Sequence, residues 1–117
     1  MKQFKVGDLV FSRVASDRFG TFAEFVSVDE KLVALKPAAL THAKAAALPL
    51  VSLTSWQALH SIAQVKLGQK VLIHAGAGGI GTIAIQIAKH LGAYVATTTS
   101  TKNNEFVKSL GADEVVD

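Results

Sequence analysis

The chain has 117 residues, half of them hydrophobic, and a formal net charge of +3, so it can build a packed core and is not globally disordered. It contains no cysteine, which excludes disulfide bonds, cysteine-ligated zinc and cysteine nucleophiles. Its basic residues are scattered and form no stripe with aromatic residues, so we expect no nucleic-acid partner.

The first third of the chain, residues 1–37, has the pattern of β structure. Short strands are predicted at Asp8–Arg13, Thr21–Asp29 and Leu32–Leu35. The last of them ends at Lys36 and Pro37, where the proline interrupts any further pairing. Three strands with no helix between them predict a piece of a β-barrel or a β-sandwich.

Residues 38–68 predict connecting helices. The alanine-rich stretch Ala38–Ala47 favours a helix, which Pro49 should break, and Ser52 is a candidate N-cap for a second helix. The apolar residues of that second helix follow helical spacing: Leu53, Trp56, Leu59 and Ala63. A turn is predicted at Lys66–Gln69, where the connecting region ends.

Residues 69–117 alternate between strand and helix. The predicted elements, in order, are a strand Val71–His74, a glycine loop Gly76–Gly81, a helix stopped by Gly92, a strand Tyr94–Thr99, a helix Asn103–Leu110 stopped by Gly111, and a strand Glu114–Val116. One face of the first helix is expected to pack on a sheet through Ile80, Ile83, Ala84, Ile87, Ala88 and Leu91. The alternation predicts an α/β fold with the first half of a Rossmann-type parallel sheet.

The loop between the first strand and helix of this region matches the pattern G-x-G-x-x-G. Its residues are Gly76, Ala77, Gly78, Gly79, Ile80 and Gly81. In such a loop the first glycine allows a tight turn, the second lets a pyrophosphate approach the backbone, and the third lets the helix pack closely on the strand. A phosphate-binding P-loop would need a lysine before Thr82, which is absent. The alternative is a glycine-rich turn that binds nothing.

The second strand indicates which dinucleotide the loop would bind. NAD sites place an acidic residue about 20 residues after the loop, on the ribose 2′-hydroxyl. Ser100 stands nineteen residues after Gly81, and no carboxylate precedes Glu105. The hydroxyls of Thr99 and Ser100 with the charge of Lys102 would accept a 2′-phosphate, which predicts NADPH. Alternatively, Lys102 is a solvated residue that starts a helix.

Several ordered motifs accompany the glycine loop. They are Phe4–Val10, Ala45–Leu50, Leu53–Leu59, Val71–Ala75 and Leu110–Asp113. With them the chain resembles the medium-chain dehydrogenase/reductase superfamily, specifically its zinc-independent, quinone-oxidoreductase-like branch. The resemblance implies that residues 1–37 form the end of a chaperonin-10-like catalytic β-barrel domain and residues 69–117 the first half of the Rossmann domain. It also implies that Thr54 lies at the nicotinamide end of the cofactor; the alternative for Thr54 is a helix N-cap, and both roles could hold together.

The resemblance also bears on metal binding. Zinc-dependent relatives place a zinc-binding cysteine four residues before the threonine, where this chain has Leu50, and they have a four-cysteine lobe where this chain has the short loop Val14–Gly20. The resemblance therefore implies no metal site. Four dispersed histidines are interpreted as surface or structural residues: His42, His60, His74 and His90.

The activity implied by the resemblance is NADPH-dependent reduction of a quinone or an α,β-unsaturated carbonyl, a small-molecule substrate. The alternatives are an enoyl-thioester reductase, a non-catalytic nucleotide-binding module, and a scaffold that binds nothing. No catalytic residue can be named. Because the family is roughly two to three times longer, beyond the usual size of one domain, a partial and marginally stable or self-associating unit is expected. We also expect a cytoplasmic location and no membrane segment.

Overall fold

The computed structural model describes residues 3–17 and 20–117. Its contacts divide the chain into two compact units, Met1–Leu50 and Val51–Asp117, which are considered separately. Two residues of the predicted loop Val14–Gly20, at positions 18 and 19, lie outside the described residues. None of the described helices is long and apolar enough to cross a membrane.

The first unit contains a two-stranded antiparallel pair. Strand β1 (Val10–Ser12) pairs with strand β2 (Val33–Leu35), and Phe11 stands opposite Ala34. A single 3-10 turn, Glu30–Leu32, leads into β2. Two of the three strands predicted for this region are therefore present in shortened form.

The predicted strand Thr21–Asp29 is wrong, because the structure has no strand there. Phe22 and Phe25 are almost fully exposed and pack against little. Aromatic and β-branched residues favour a strand only where a neighbouring strand supplies hydrogen bonds and packing. Among the described residues β1 and β2 pair only with each other, so this segment has no such neighbour.

Helix α1 (His42–Ala46) is shorter than the predicted Ala38–Ala47. Thr41 is its N-cap, since its side-chain oxygen accepts a hydrogen bond from the Lys44 backbone N–H at 3.3 Å. The residues before Thr41 form a turn instead of a helix. A good N-cap within an alanine-rich stretch thus determines where the helix starts.

Helix α2 (Pro49–Trp56) begins at the proline that was expected only to break a helix. Proline is favoured at the first helical position because the missing N–H would have no partner there. Ser52 lies inside α2, so its predicted role as N-cap is wrong. The helix continues as a π-helical segment, Gln57–Ile62, in which the amide of the following residue, Ala63, reaches the carbonyl of Ala58 at 2.9 Å.

The second unit is the predicted α/β sheet. Strands β3 (Lys70–Ile73), β4 (Tyr94–Thr98) and β5 (Glu114–Val116) are parallel and adjacent in that order. They are connected by helices α3 (Gly79–His90) and α4 (Asn104–Ser109), the latter preceded by a 3-10 turn, Thr101–Asn103. Sequential order of parallel strands with helical connections is the arrangement of a Rossmann half. The predicted fold class is confirmed.

The core of this unit lies between the sheet and α3 and α4. Ile85, Val95 and Val107 are fully buried, and burying each such side chain contributes about 1.5–3 kcal/mol. Most of the predicted face of α3 is confirmed, because Ala84 and Ala88 are buried and Ile87 and Leu91 pack against the core. The prediction is wrong at Ile80, which is 49% exposed, and it missed Ile85, which is fully buried. The buried residues of α3 are Gly81, Ala84, Ile85 and Ala88.

An ion pair fixes the end of the sheet that lies away from the glycine loop. Lys89 Nζ, near the end of α3, is 2.8 Å from Asp113 Oδ2, and the same oxygen accepts from the Val95 backbone N–H at 2.7 Å. The hydrogen bond from Lys89, followed by that from Val95, lowers the pKa of Asp113 below its ordinary value of 3.8. Asp113 therefore links α3, β4 and the start of β5.

Candidate functional site

The candidate site begins where the chain leaves β3. Ala75 has a positive φ of 55°, a left-handed conformation that costs an L-residue about 1–2 kcal/mol. Its N–H donates to Thr98 Oγ1 at 3.1 Å, and its carbonyl accepts from the Gly78 N–H at 2.9 Å. These bonds hold a sharp turn between the strand and the glycine loop.

Two glycines of the loop are required by the packing of the chain itself. A Cβ on Gly76 would collide with the hydroxyl of Thr97, which is fully buried and donates to the carbonyl of Ile73 at 2.6 Å. A Cβ on Gly81 would collide with the carbonyl of Ala75 and would lie 2.7 Å from the Cα of Gly76. The loop and the start of α3 therefore lie against β3 and β4 as closely as backbone allows.

Gly78 differs, because nothing in the fold requires a glycine there. Its φ of −80° and ψ of 171° suit any residue, and a Cβ would approach only one atom, the carbonyl oxygen of Ala75, at 3.2 Å. Gly78 is the N-cap of α3 and provides no side-chain cap. The first hydrogen bond within the helix runs from the Thr82 N–H to the Gly78 carbonyl, so the amides of residues 79–81 have no acceptor within α3. These free amides at the exposed, uncapped N-terminus of α3 are groups that could donate hydrogen bonds to an anion.

Helix α2 packs directly on this first turn of α3. The hydroxyl of Ser55, which is 1% exposed, lies 2.8 Å from the carbonyl of Val51 and 3.2 Å from that of Ile80. A Cβ on Gly79 would be 3.3 Å from the Cγ1 of Val51. Sequence reasoning missed Ser55, and the available signal was a small polar residue in a helix whose neighbours are large.

Thr54 precedes Ser55 on α2 and is exposed. It lies in the middle of the helix, so the alternative that it is an N-cap is wrong. Through the contact between Ser55 and Ile80, the helix that carries Thr54 is joined to the glycine loop.

The second part of the site is the loop after β4. Thr99 donates its backbone N–H to the carbonyl of Val116 at 3.1 Å, which keeps it in the sheet, whereas Ser100 and Lys102 are exposed. The Asn103 side-chain amide donates to Ser100 Oγ at 3.2 Å and orders the loop. Within the part of the chain that the structure describes, Lys102 has no ion-pair partner. Because β3 and β4 are parallel, this loop and the glycine loop leave the same edge of the sheet, where nucleotides bind in such folds.

Two polar groups near this loop were missed by the sequence pattern. The hydroxyl of Thr101 donates to the carboxylate of Asp117, which follows β5 and lies beside the loop although it is far from it in sequence. The side-chain oxygen of Asn104 is buried and has no hydrogen-bond partner. A buried acceptor without a donor is uncommon in proteins.

The histidines and acidic residues do not assemble a metal site. In the described segments, 3–17 and 20–117, no three side chains of the metal-binding types are grouped. All four histidines are exposed, and His60 stacks on Trp56 with a centroid distance of 4.3 Å.

Comparison with known proteins identifies the fold family. The family model described as zinc-binding dehydrogenase matches residues 79–117. The chain is 42% identical over its whole length to the mitochondrial NAD(P)H oxidoreductase RTN4IP1 of Mus musculus, and 41% identical to the chloroplastic NADPH-dependent alkenal/one oxidoreductase of Arabidopsis thaliana. Over its whole length the chain is therefore similar to members of the medium-chain dehydrogenase/reductase superfamily. It spans about a third of the length of these relatives, 31% and 32% respectively.

Solved structures of this superfamily agree with the fold. An alcohol dehydrogenase superfamily protein from Novosphingobium aromaticivorans superposes with a TM-score of 0.94 and 46% identity, over 100% of this chain and 36% of its own. The quinone oxidoreductase from Coxiella burnetii gives a TM-score of 0.92 and 40% identity, over 98% of this chain and 36% of its own. The arrangement of strands and helices described above is therefore that of a medium-chain dehydrogenase/reductase.

Proposed function

We propose that this chain supplies the dinucleotide-binding half-site of a zinc-independent, NADPH-dependent oxidoreductase. The observation that carries the proposal is Gly78, a glycine that the fold does not need, at the uncapped N-terminus of α3. A pyrophosphate at this position would accept hydrogen bonds from the amides of residues 79–81 and would meet the positive end of the helix dipole. The residues present thus fit the cofactor.

NADPH is favoured over NADH by the second loop. The exposed hydroxyl of Ser100 and the ammonium group of Lys102 can both donate to a 2′-phosphate, and Thr99 lies at the start of the same loop. These groups lie beyond the end of β4, where the adenosine ribose lies in Rossmann folds.

The bound nicotinamide would supply hydride to an electrophilic carbon or oxygen. This chain's own residues bind and orient the cofactor. Thr54 is proposed to contact the nicotinamide end, as the resemblance to the family implies, and the helix that carries it is joined to the glycine loop through Ser55. A small-molecule quinone or α,β-unsaturated carbonyl is the proposed substrate, in keeping with the names of the relatives. The cytoplasm is the proposed location.

The absence of cysteine supports zinc-independence, since the thiolates that hold zinc in many dehydrogenases cannot be supplied by this chain. Metal analysis after dialysis is expected to find no zinc. Tightly bound zinc in stoichiometric amount would contradict this part of the proposal.

Titration of the chain with NADPH and with NADH, followed by the fluorescence of Trp56, tests the proposal. We expect saturable binding of both, tighter for NADPH, and loss of both in Gly78→Val, which fills the proposed phosphate site. Circular dichroism checks that the variant is folded. A folded variant with unchanged affinity would show that the loop is not the phosphate site.

A panel of a quinone, an α,β-unsaturated ketone and an enoyl thioester, with NADPH absorbance as the readout, tests the substrate class. Faster NADPH oxidation with the quinone or the ketone would support the proposed activity. Binding of NADPH without oxidation by any acceptor is the outcome expected of this chain alone, which supplies only the cofactor half-site and spans about a third of its relatives' length.

A further inference from the structure

Thr98, the last residue of β4, holds two consecutive backbone amides at the entrance of the glycine loop. Its side-chain oxygen accepts from the Ala75 N–H at 3.1 Å, and its main-chain oxygen accepts from the Gly76 N–H at 2.9 Å. The path of the chain as it leaves β3 is therefore set by a single residue of the neighbouring strand.

The bond to Ala75 matters because of the backbone conformation there. Ala75 has a φ of 55° without being a glycine, and such a conformation persists only when its surroundings hold it. The carbonyl of Ala75 in turn accepts from the Gly78 N–H at 2.9 Å. The conformation of Ala75 is thus transmitted directly to Gly78, the N-cap of α3.

His74 shares the same hydroxyl. Its Nδ1 lies 3.3 Å from Thr98 Oγ1. If the hydroxyl donates its proton to Nδ1, a lone pair of the oxygen remains to accept the Ala75 N–H, so both contacts are satisfied together. His74 then holds the hydroxyl in the orientation that Ala75 requires.

We propose that Thr98 is a positioning residue for the cofactor pyrophosphate. Its hydroxyl holds Ala75 in the left-handed conformation, and the Ala75 carbonyl then fixes Gly78 and the amides that follow it. This inference rests on the proposed function of the glycine loop. Thr97 provides a natural comparison, since its buried hydroxyl bonds to Ile73 and has no hydrogen bond to Ala75 or Gly78.

Amide hydrogen exchange in the chain without cofactor tests the positioning itself. In Thr98→Val, which keeps the shape and removes the hydroxyl, the Gly78 amide should exchange about fivefold to tenfold faster, because a net hydrogen bond has been lost. Thr98→Ser retains the hydroxyl and should restore slow exchange. Thr97→Val should accelerate hydrogen exchange of the Gly78 amide no more than it accelerates exchange of the core amides. A Gly78 amide unchanged in Thr98→Val would overturn the inference.

Nucleotide titration gives a second readout. Thr98→Val should bind NADPH about fivefold to tenfold more weakly and Thr98→Ser about as tightly as the wild type, by the same hydrogen-bond magnitude. Adenosine 2′-phosphate, which has no pyrophosphate, should bind both variants equally. Equal weakening of both nucleotides by Thr98→Val would mean a general loss of structure and would overturn the inference. Thr98→Ala gives the same test if valine cannot be accommodated.

The two proposals fail separately. If the wild type binds no NADPH while the Gly78 amide still responds to Thr98→Val and recovers in Thr98→Ser, the proposed function is wrong and the positioning of the loop stands. If the wild type binds NADPH, and Thr98→Val neither accelerates exchange of the Gly78 amide nor weakens NADPH binding, other contacts hold the glycine loop. The proposed role of Thr98 is then wrong.

Discussion

Replacing Gly78 by serine should leave the fold intact and weaken NADPH binding. The backbone at Gly78 already has the extended conformation of an N-cap, and serine caps a helix slightly better than glycine, by a few tenths of a kcal/mol. The new Cβ would lie 3.2 Å from the Ala75 carbonyl oxygen, which needs only a small local adjustment. The free energy of unfolding should therefore change by less than about 0.5 kcal/mol.

The cost of the same substitution appears in binding. The serine hydroxyl would accept from the amides at the start of α3 that are proposed to bind the pyrophosphate. Losing a hydrogen bond to a charged group costs about 1.5–3 kcal/mol, so the affinity for NADPH should fall roughly tenfold to a hundredfold. The serine cap thus stabilises the free protein and weakens its complex with NADPH.

Gly81→Ala is the matched control, with the opposite outcome. Its Cβ would meet the backbone of Ala75 and Gly76, which cannot rotate away as a side chain can. Overpacking of this kind costs about 1–3 kcal/mol, against a gain of up to about 1 kcal/mol from the better helix propensity of alanine. We expect a clear net loss of stability for Gly81→Ala.

Urea unfolding followed by circular dichroism, with titration of NADPH at a denaturant concentration where both variants are folded, separates the two glycines. If folded Gly78→Ser binds NADPH as tightly as the wild type, the start of α3 is not the phosphate cradle. If Gly81→Ala is as stable as the wild type, the close approach of α3 to the loop is not required.

Lys102→Ala should weaken the binding of NADPH but not of NADH and so remove a preference of about tenfold, or roughly 1.4 kcal/mol. The control Lys108→Ala breaks only an exposed ion pair and should change the affinity for neither cofactor. Equal losses of affinity for both cofactors in Lys102→Ala would mean that Lys102 only supports the fold. Ile85→Ala should lower the free energy of unfolding by about 2–5 kcal/mol, and Ile80→Ala, at an exposed position, by less than about 0.5 kcal/mol; similar urea midpoints would contradict the burial of Ile85 and the exposure of Ile80. The ionised carboxylate of Asp113 stabilises the fold fully above pH 3.8, its ordinary pKa, and this contribution is lost as the pH falls towards its lowered pKa. The free energy of unfolding of Asp113→Asn should therefore fall less in acid than that of the wild type. An unchanged dependence of this free energy on pH would exclude the stabilising role of Asp113.

Local sequence predicted the second unit well. The strand Glu114–Val116 and the glycines that end α3 and α4 agree with the structure, because short β-branched runs between glycine stops have few alternatives. The strand Thr21–Asp29 failed because its aromatic residues favour a strand that only a neighbour could stabilise. A local sequence pattern thus predicts elements that are bounded by glycines. It fails for a segment that forms a strand only when a neighbouring strand pairs with it.

The supporting groups of the site could not be predicted in this way. Ser55 contacts Ile80 and Thr98 contacts Ala75 across separations of 25 and 23 residues. No periodicity connects such pairs, and they meet only after the sheet has formed and α2 has packed on α3. The motif therefore indicated where phosphate would bind, whereas the residues that hold the motif in shape became visible only in three dimensions.

Asp117 is expected to reduce the preference for NADPH. A carboxylate near the end of the second strand is what NAD sites use for the ribose 2′-hydroxyl, and here one reaches that region from the end of β5 instead. Because the carboxylate of Asp117 accepts a hydrogen bond from the hydroxyl of Thr101, its charge lies beside the loop that also carries Lys102. A 2′-phosphate would be attracted by Lys102 and repelled by Asp117, both exposed and screened by solvent. This opposition is why we expect a preference of only about tenfold for NADPH and not a strict one.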